Sequence, residues 1–366
     1  MKKLIVQKQS LIHNIEKLKA HAAQTGTTLI AMLKGNGYGL GISQFAAVLL
    51  EQGITHLAVS ELVEAVQLRE AGIGAQIMLL SPLCSMEEAK TAVSLDIICA
   101  IGSPDSATIL ELAAREVGMQ AKAQLVIDTG FGRFGFLAQD MTYAIKAIED
   151  LAHVDIVGTF SHLSNSFGKR DTFSYQQYRL FLQAVQKLED AGIDAGMRHI
   201  CNSCGFLRYP DMHLDAVRVG SAFLGRLPIA DKLGLEKIAY LESAVCEVKQ
   251  LPKGHNIGYA NTYRTKSVTK IAVIPIGYKD GFGVAKVNDA YRFLDILRYV
   301  FHDMLLFFKD NHMYVEIEGK RCRLLGRISM FNVIADITGM DVAVGASVRA
   351  QCNPILIDSH VERVYV

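Results

Sequence analysis

The sequence predicts an α/β protein, a closed parallel (β/α)8 TIM barrel followed by a mainly β C-terminal domain. Three observations predict it. The chain has 366 residues, more than one average domain needs. From residue 28 to about residue 222, short apolar segments of strand length alternate with amphipathic segments of helix length. After about residue 235, strand-like segments follow one another without helices between them.

Eight segments supply the barrel strands: TLIAML (28–33), HLAVS (56–60), QIMLLS (76–81), DIICAIG (96–102), AKAQLVID (121–128), DIVGTFSHL (155–163), MRHICNS (197–203) and AVRVGSA (216–222). Their nearly continuous apolar character suits strands buried on both faces, as in a closed parallel barrel; a doubly wound open sheet is the alternative. Between them the period turns helical. In 172–191, Tyr178, Phe181, Leu182, Val185 and Leu188 form one stripe. Ser103 before Pro104 reads as an N-cap with proline at the first helical position. Ser60 precedes a helix with Glu61 and Glu64 in its first turn, ended by Gly72.

The second domain is expected to contain LESAVCEVKQL, VTKIAVIPIG, MYVEIEG, KRCRLLGRISM, VIADI, ASVRAQC and VERVYV as strands, interrupted by a helical insertion at 287–308. The expected division is 9–235 for the barrel and 236–366 for the β domain, with an N-terminal strand at 1–8 joining the latter.

Half of the residues are hydrophobic and the net charge is +1, which gives no electrostatic case for nucleic acid or an anionic membrane. A small-molecule enzyme fits better. Seven scattered cysteines, mostly in apolar runs, read as reduced thiols of a cytoplasmic protein; Cys201 and Cys204 form a CxxC without the second pair or histidines of a zinc site, and read as packing. No metal site is expected. The N-terminus carries Lys2 and Lys3 but no signal-peptide apolar region, and no run reaches membrane-spanning length without charges.

In a barrel of this kind, catalytic residues sit at the C-terminal ends of strands. Strand one ends in Lys34, strand five in Asp128-Thr129-Gly130 with Arg133 beyond, and strand six in Ser161-His162. Strand seven ends in Asn202-Ser203, and strand eight runs through Arg218 into Gly220-Ser221. Lys34 stands in LIAMLKGNGYGLG, before the glycines. A Walker loop needs its lysine after them, and Leu40 breaks the dinucleotide fingerprint. A lysine that simply reaches solvent and a lysine that forms a Schiff base remain open on spacing alone. On the second reading burial and neighbouring cations free the amine, a phosphate sits at Ser203, Gly220 and Ser221 after strands seven and eight, and the cofactor is pyridoxal 5'-phosphate. On the residues alone, His162 reads as a satisfied core histidine, Tyr259 and Tyr278 as packing aromatics, and Met330 as core.

LKGNGYGLG resembles the lysine motif of the alanine racemase family of fold-type III pyridoxal-phosphate enzymes. VIDTGFGRFG, FSHLSN, HICNSCGFLRYP, RVGSAFLG, IGYANTYRT, IPIGYKDGF, LLGRISM and VERVYV resemble further blocks in the same order. The resemblance implies a homodimer with shared active sites acting on a small amino acid. Lys34 is then the Schiff-base lysine and the base on one face of the substrate α-carbon, and Tyr259 of the partner subunit serves the other. It implies that Arg218 faces the pyridine nitrogen, that His162 links Tyr259 to Arg218, and that Tyr38, Ser203, Gly220 and Ser221 hold the phosphate beside Tyr278. Arg133 is placed near the cofactor phenolate and substrate carboxylate, and the backbone of Met330 holds that carboxylate from the partner side.

The chain departs from the family pattern at several points. Val126 stands where many bacterial members carry a carbamylated lysine, so Arg133 must find another anion, such as chloride or a nearby carboxylate, or be held by the cofactor phenolate alone. Phe331 replaces the usual aspartate, and the C-terminal phosphate tyrosine is absent. The Asn353-Pro354 element and the 287–308 insertion resemble the serine/alanine racemase branch, in which Asn353 would hydrogen-bond a serine hydroxyl. Alanine is the expected substrate and serine the alternative. A non-catalytic pyridoxal-phosphate carrier would lack a β domain, and a fold-type III decarboxylase would need a cysteine where this chain has Ser329.

Overall fold

A computed structural model describes residues 2–285, 287, 292–306 and 312–366. The chain divides into two compact units, Lys8–Ile238 and Met1–Gln7 with Ala239–Val366.

In the first unit, eight parallel strands close on themselves: Thr28–Met32, His56–Val59, Gln76–Pro82, Ile97–Ile101, Ala121–Asp128, Val154–Phe160, Met197–His199 and Ala216–Val219. Ala216 pairs with Thr28 and closes the ring. The barrel interior is filled by Ile30, Met32, Ala58, Met78, Ile98 and Ala216, and by a neighbouring cluster of Ala100, Val126 and Phe160. Large branched and aromatic side chains fill such a barrel as a core, so chemistry is confined to its mouth. Strand seven is shorter than its apolar run: it stops at His199, and Asn202 instead caps a helix at Ser203–Arg208, its side chain accepting from the Gly205 N–H at 3.0 Å.

The helices follow the sequence with one correction. Ser103 caps Pro104–Val117, and Ser103 and Ser106 bond each other's backbone N–H at 3.2 and 3.0 Å. The helix after strand two runs Leu62–Glu70, so Glu61, expected in its first turn, is instead its N-cap. Glu64, inside the first turn, accepts from the N–H groups of both Ser60 and Glu61. In Thr172–Asp190, Phe181, Val185 and Leu188 are buried while Tyr178 and Leu182 flank them half-buried.

In the second unit, a six-stranded sheet runs in the order Lys320–Arg323, Tyr314–Ile317, Ser347–Gln351, Ala239–Ala244, Lys3–Val6, Glu362–Tyr365. Lys3–Val6 is antiparallel to Ala239–Ala244 and parallel to Glu362–Tyr365. A three-stranded sheet joins Glu247–Leu251, Thr269–Ile274 and Val333–Asp336. The expected single strand LESAVCEVKQL is therefore two. The Val245 N–H bonds Ala346 and the Cys246 N–H bonds Val273, so successive residues belong to different sheets. The predicted insertion contains a helix at Phe293–Leu305, with Phe293, Leu297, Val300, Phe301 and Met304 exposed; residues 288–291 and 307–308 of it lie outside the described residues. All seven cysteines are free thiols. Among the described residues no helix is long and apolar enough to cross a membrane.

Asn14, in the helix Lys8–Ala23, is fully buried. Its amide donates to the Phe223 and Glu236 carbonyls at 2.9 and 2.8 Å and accepts from the Glu236 N–H at 2.8 Å. Asn14→Leu keeps the volume and orphans three backbone groups, so it should destabilise the barrel unit by about 3 kcal/mol. A lower urea midpoint with unchanged slope is the expected result, and an unchanged midpoint contradicts it.

Candidate active site

Strand one delivers Lys34 into an unusual turn. Gly35, Asn36, Gly37 and Tyr38 all have left-handed φ values, 64, 54, 63 and 54°. Such a conformation costs ordinary residues roughly 1–2 kcal/mol each, and glycine at two of four positions halves that burden. The turn is locked by the Gly37 N–H on the Leu33 carbonyl at 2.7 Å and by the Asn36 side chain, which accepts from the Ile42 N–H at 2.9 Å. Glu64 Oε1 accepts from the N–H groups of Gly35 and Asn36 at 2.6 and 3.3 Å.

Beside this turn lies a cavity of about 410 Å³, within the roughly 300–1,000 Å³ typical of small-molecule sites. Lys34, Tyr38, Arg133, His162, Ser203, Arg218, Gly220 and Ser221 all line it. Lys34 touches solvent at the mouth, yet burial, then Arg133 and Arg218, push its ammonium below the usual lysine range, with Glu64 opposing them.

Arg218 is 2% exposed and forms the floor. One of its terminal nitrogens donates to His199 Nδ1, and the other donates to the Ser161 carbonyl at 2.6 Å and to His162 Nδ1 at 3.1 Å. Burial lowers its pKa to about 10, which still leaves the guanidinium protonated at neutral pH. Because a guanidinium only donates, both histidines must present a bare Nδ1 and carry their proton on Nε2. For His199 that proton goes to Gln124 Oε1 at 2.7 Å. His162 is pushed down to about 3 by burial, then by Arg218, Arg133 and Lys34; His199, fully buried against Arg218, is also held well below its usual value.

The opposite corner suits an anion. The Ser203 hydroxyl accepts from the Gly220 N–H at 3.0 Å, leaving its own proton to donate. A Cβ on Gly220 would stand 2.2 Å from the Tyr38 hydroxyl, so only glycine lets that phenol lie against the backbone here. Burial raises Tyr38 to about 12, which keeps it a neutral donor. A phosphate at the Tyr38 and Ser203 hydroxyls beside the Gly220 backbone, an aromatic ring nitrogen toward Arg218 and a carbonyl carbon toward the Lys34 amine match these groups. The set therefore fits pyridoxal 5'-phosphate.

Arg133 is exposed at the rim, its guanidinium 4.5 Å from the Phe131 ring centre and 5.4 Å from that of Phe134. Val126 packs against Ala100 and Phe160 and offers Arg133 no charge. The sequence did not point to Glu64, His199 or Gln124 as parts of the site. His199 was the most accessible of these, standing two residues before Cys201 in the strand that neighbours Arg218.

The remaining candidates belong to the β unit. Tyr259 begins the short turn Tyr259–Asn261 and is 69% exposed. Tyr278 and Met330 are brought together: the Tyr278 N–H bonds the Ser329 carbonyl and the Lys279 N–H bonds the Met330 carbonyl, both at 3.1 Å. A Cβ on Gly277 would meet those carbonyls at 2.3 Å. Phe331 is about half exposed, under the Lys2 ammonium at 5.4 Å. Asn353 is half-buried and leads into the turn Pro354–Leu356.

Residues 6–228 match the alanine racemase N-terminal domain and residues 238–359 match the alanine racemase C-terminal domain. The chain is 30% identical to alanine racemase 1 of Oceanobacillus iheyensis over 91% of its own length and 83% of that protein's. It is 33% identical to an alanine racemase of Clostridium tetani over 74% of its length and 71% of that protein's. The alanine racemase structure from Streptomyces coelicolor superposes with a TM-score of 0.85 at 26% identity, covering 100% of this chain and 98% of that one.

The two histidines on Arg218 bind fewer protons in the fold than in the unfolded chain. Their contribution to stability is therefore complete above about pH 6.5 and is lost as pH falls toward their folded values, at about 1.4 kcal/mol per pH unit for each. Carbon and nitrogen NMR should find neither ring titrating between about pH 5 and 8. A midpoint near 6.5 in either ring contradicts the arrangement.

Proposed function

The chain belongs to the alanine racemase family, and from that premise we propose that it interconverts L- and D-alanine with pyridoxal 5'-phosphate, in a homodimer whose active sites draw on both subunits. The observation that carries this reading is the Lys34 amine, held below the usual lysine range by burial and two guanidiniums, sharing one cavity with the fixed Arg218 guanidinium and the Tyr38–Ser203–Gly220 corner. The cofactor supplies a conjugated electron sink that acidifies the α C–H of an amino acid attached to it.

The protein's own residues do the rest. With pyridoxal 5'-phosphate bound, Lys34 would hold it covalently, and its amine would move a proton at one face of the substrate α-carbon. Tyr259 of the partner subunit moves a proton at the opposite face. Taking a proton from one side and returning one to the other inverts the carbon, which requires two opposed groups rather than one. The 69% exposure of Tyr259 on its turn supports a residue that acts on a partner chain.

Arg218 keeps its proton, so it would hydrogen-bond the cofactor's ring nitrogen without protonating it and would limit the sink's strength. His162, neutral with its proton on Nε2, passes that hydrogen bond toward Tyr259 of the partner subunit. Tyr38, Ser203, Gly220 and Ser221 hold the phosphate, with Tyr278 beside them. Arg133 orients the substrate carboxylate, assisted by the backbone of Met330 from the partner side, and Asn353 stands by the substrate side chain. The free thiols of all seven cysteines support a cytoplasmic enzyme.

Reconstitution with pyridoxal 5'-phosphate should give a yellow protein that forms D-alanine from L-alanine faster than D-serine from L-serine. Lys34→Ala should abolish cofactor attachment. Tyr259→Phe should retain the colour and lose at least about a hundredfold in kcat. Full activity in Tyr259→Phe overturns the two-base reading. A serine preference that falls in Asn353→Tyr would reassign the substrate.

A further inference from the structure

Glu64 is 7% exposed and is shared between two loops of the barrel mouth. Its Oε2 accepts from the Ser60 and Glu61 N–H groups at 3.0 and 3.2 Å, the ordinary work of a helix capping box. Its Oε1 accepts from the Gly35 and Asn36 N–H groups at 2.6 and 3.3 Å, 29 and 28 residues earlier in the chain. A cap for Leu62–Glu70 needs only the first pair. The second pair is the start of the left-handed turn, immediately after Lys34, and that turn also carries Tyr38.

We propose that Glu64 is a positioning residue for Lys34: its carboxylate clamps the left-handed turn at the two amides that follow the lysine, fixing where the Lys34 amine and the Tyr38 hydroxyl stand at the cavity, and its charge opposes Arg133 and Arg218. The groups that act on Lys34 divide in the same way. Burial and the two guanidiniums favour loss of its proton, while Glu64 favours retention; His162 nearby is neutral. The carboxylate answers the barrel's cations without touching the lysine through a direct ion pair, which leaves the amine free to react.

A neutral amide cannot replace it. The four N–H groups need four acceptor sites on two oxygens, and glutamine would turn an NH2 group toward one donor pair. Glu64→Gln therefore removes both the charge and half of the clamp. Glu64→Asp keeps the charge and withdraws the oxygens by one methylene.

The inference rests on the reading of Lys34 as the reactive amine, so its test reads that amine directly, in the full chain without cofactor, where its failure is separable from failure of the racemase reading. Lys34 acetylation by acetic anhydride is followed by mass spectrometry across pH, with hydrogen exchange at the Gly35 and Asn36 amides. Glu64→Gln should shift the acetylation midpoint down by about one pH unit, giving about tenfold more labelling below it, and speed exchange at both amides about tenfold or more. Glu64→Asp should keep the labelling profile within about twofold while loosening the amides. A purely structural role predicts lower thermal stability with the wild-type labelling profile and wild-type exchange at Gly35 and Asn36, and that result overturns the proposal. Should Glu64→Gln not fold, unchanged exchange at those amides in Glu64→Asp overturns it equally.

Discussion

The arrangement at the barrel mouth follows from one buried positive charge. Arg218 is nearly inaccessible, and among the described residues its hydrogen bonds go to neutral groups: two histidine Nδ1 atoms and the carbonyls of Ser161, His199 and Ile200. A buried guanidinium answered by dipoles rather than by a carboxylate is costly unless every donor is satisfied. That requirement fixes the tautomers of His162 and His199, and through His199 it engages Gln124. Phe160 stacks on His199 at 5.3 Å and completes the enclosure.

The uncompensated charge also sets the field in which Lys34 works. Burial first, then Arg133 and Arg218, push the lysine toward its neutral, nucleophilic form, and Glu64 opposes the shift from outside the cavity. The barrel thus offers one tunable amine, several donors for an anion and a fixed donor for a ring nitrogen. All line one cavity of the barrel unit, whereas inversion at a carbon needs a second proton-transfer group approaching from the other side. This is the physical reason why an exposed tyrosine on another unit matters to the account.

Much of this was legible in the sequence because it depends on local pattern. The eight apolar runs located the barrel strands, and reading the residues that follow each strand located Lys34, Arg133, His162, Ser203 and Arg218 at one cavity. What escaped were relations between distant segments. The glycines of KGNGYG announce a tight turn, but nothing nearby names Glu64 as the carboxylate that holds it. Val245 and Cys246 read as one strand because each is apolar in an apolar run, and only the positions of Ala346 and Val273 send them to different sheets. Asn353 stands out only by resemblance, since its backbone carbonyl simply accepts from the Leu356 N–H at 3.0 Å at the start of its turn.

If one site is assembled from Lys34 of one subunit and Tyr259 of the partner subunit, two inactive variants should restore activity when mixed. Lys34→Ala and Tyr259→Phe chains, dissociated and reassociated together, form hybrids in which one site carries both lesions and the other carries neither. Activity should recover to about a quarter of wild type when the chains are mixed in equal amounts, since half of the dimers are hybrids with one intact site each. A mixture that stays as inactive as its separate components, with hybrid dimers demonstrably formed, would place both residues in sites built from a single chain and contradict the claim.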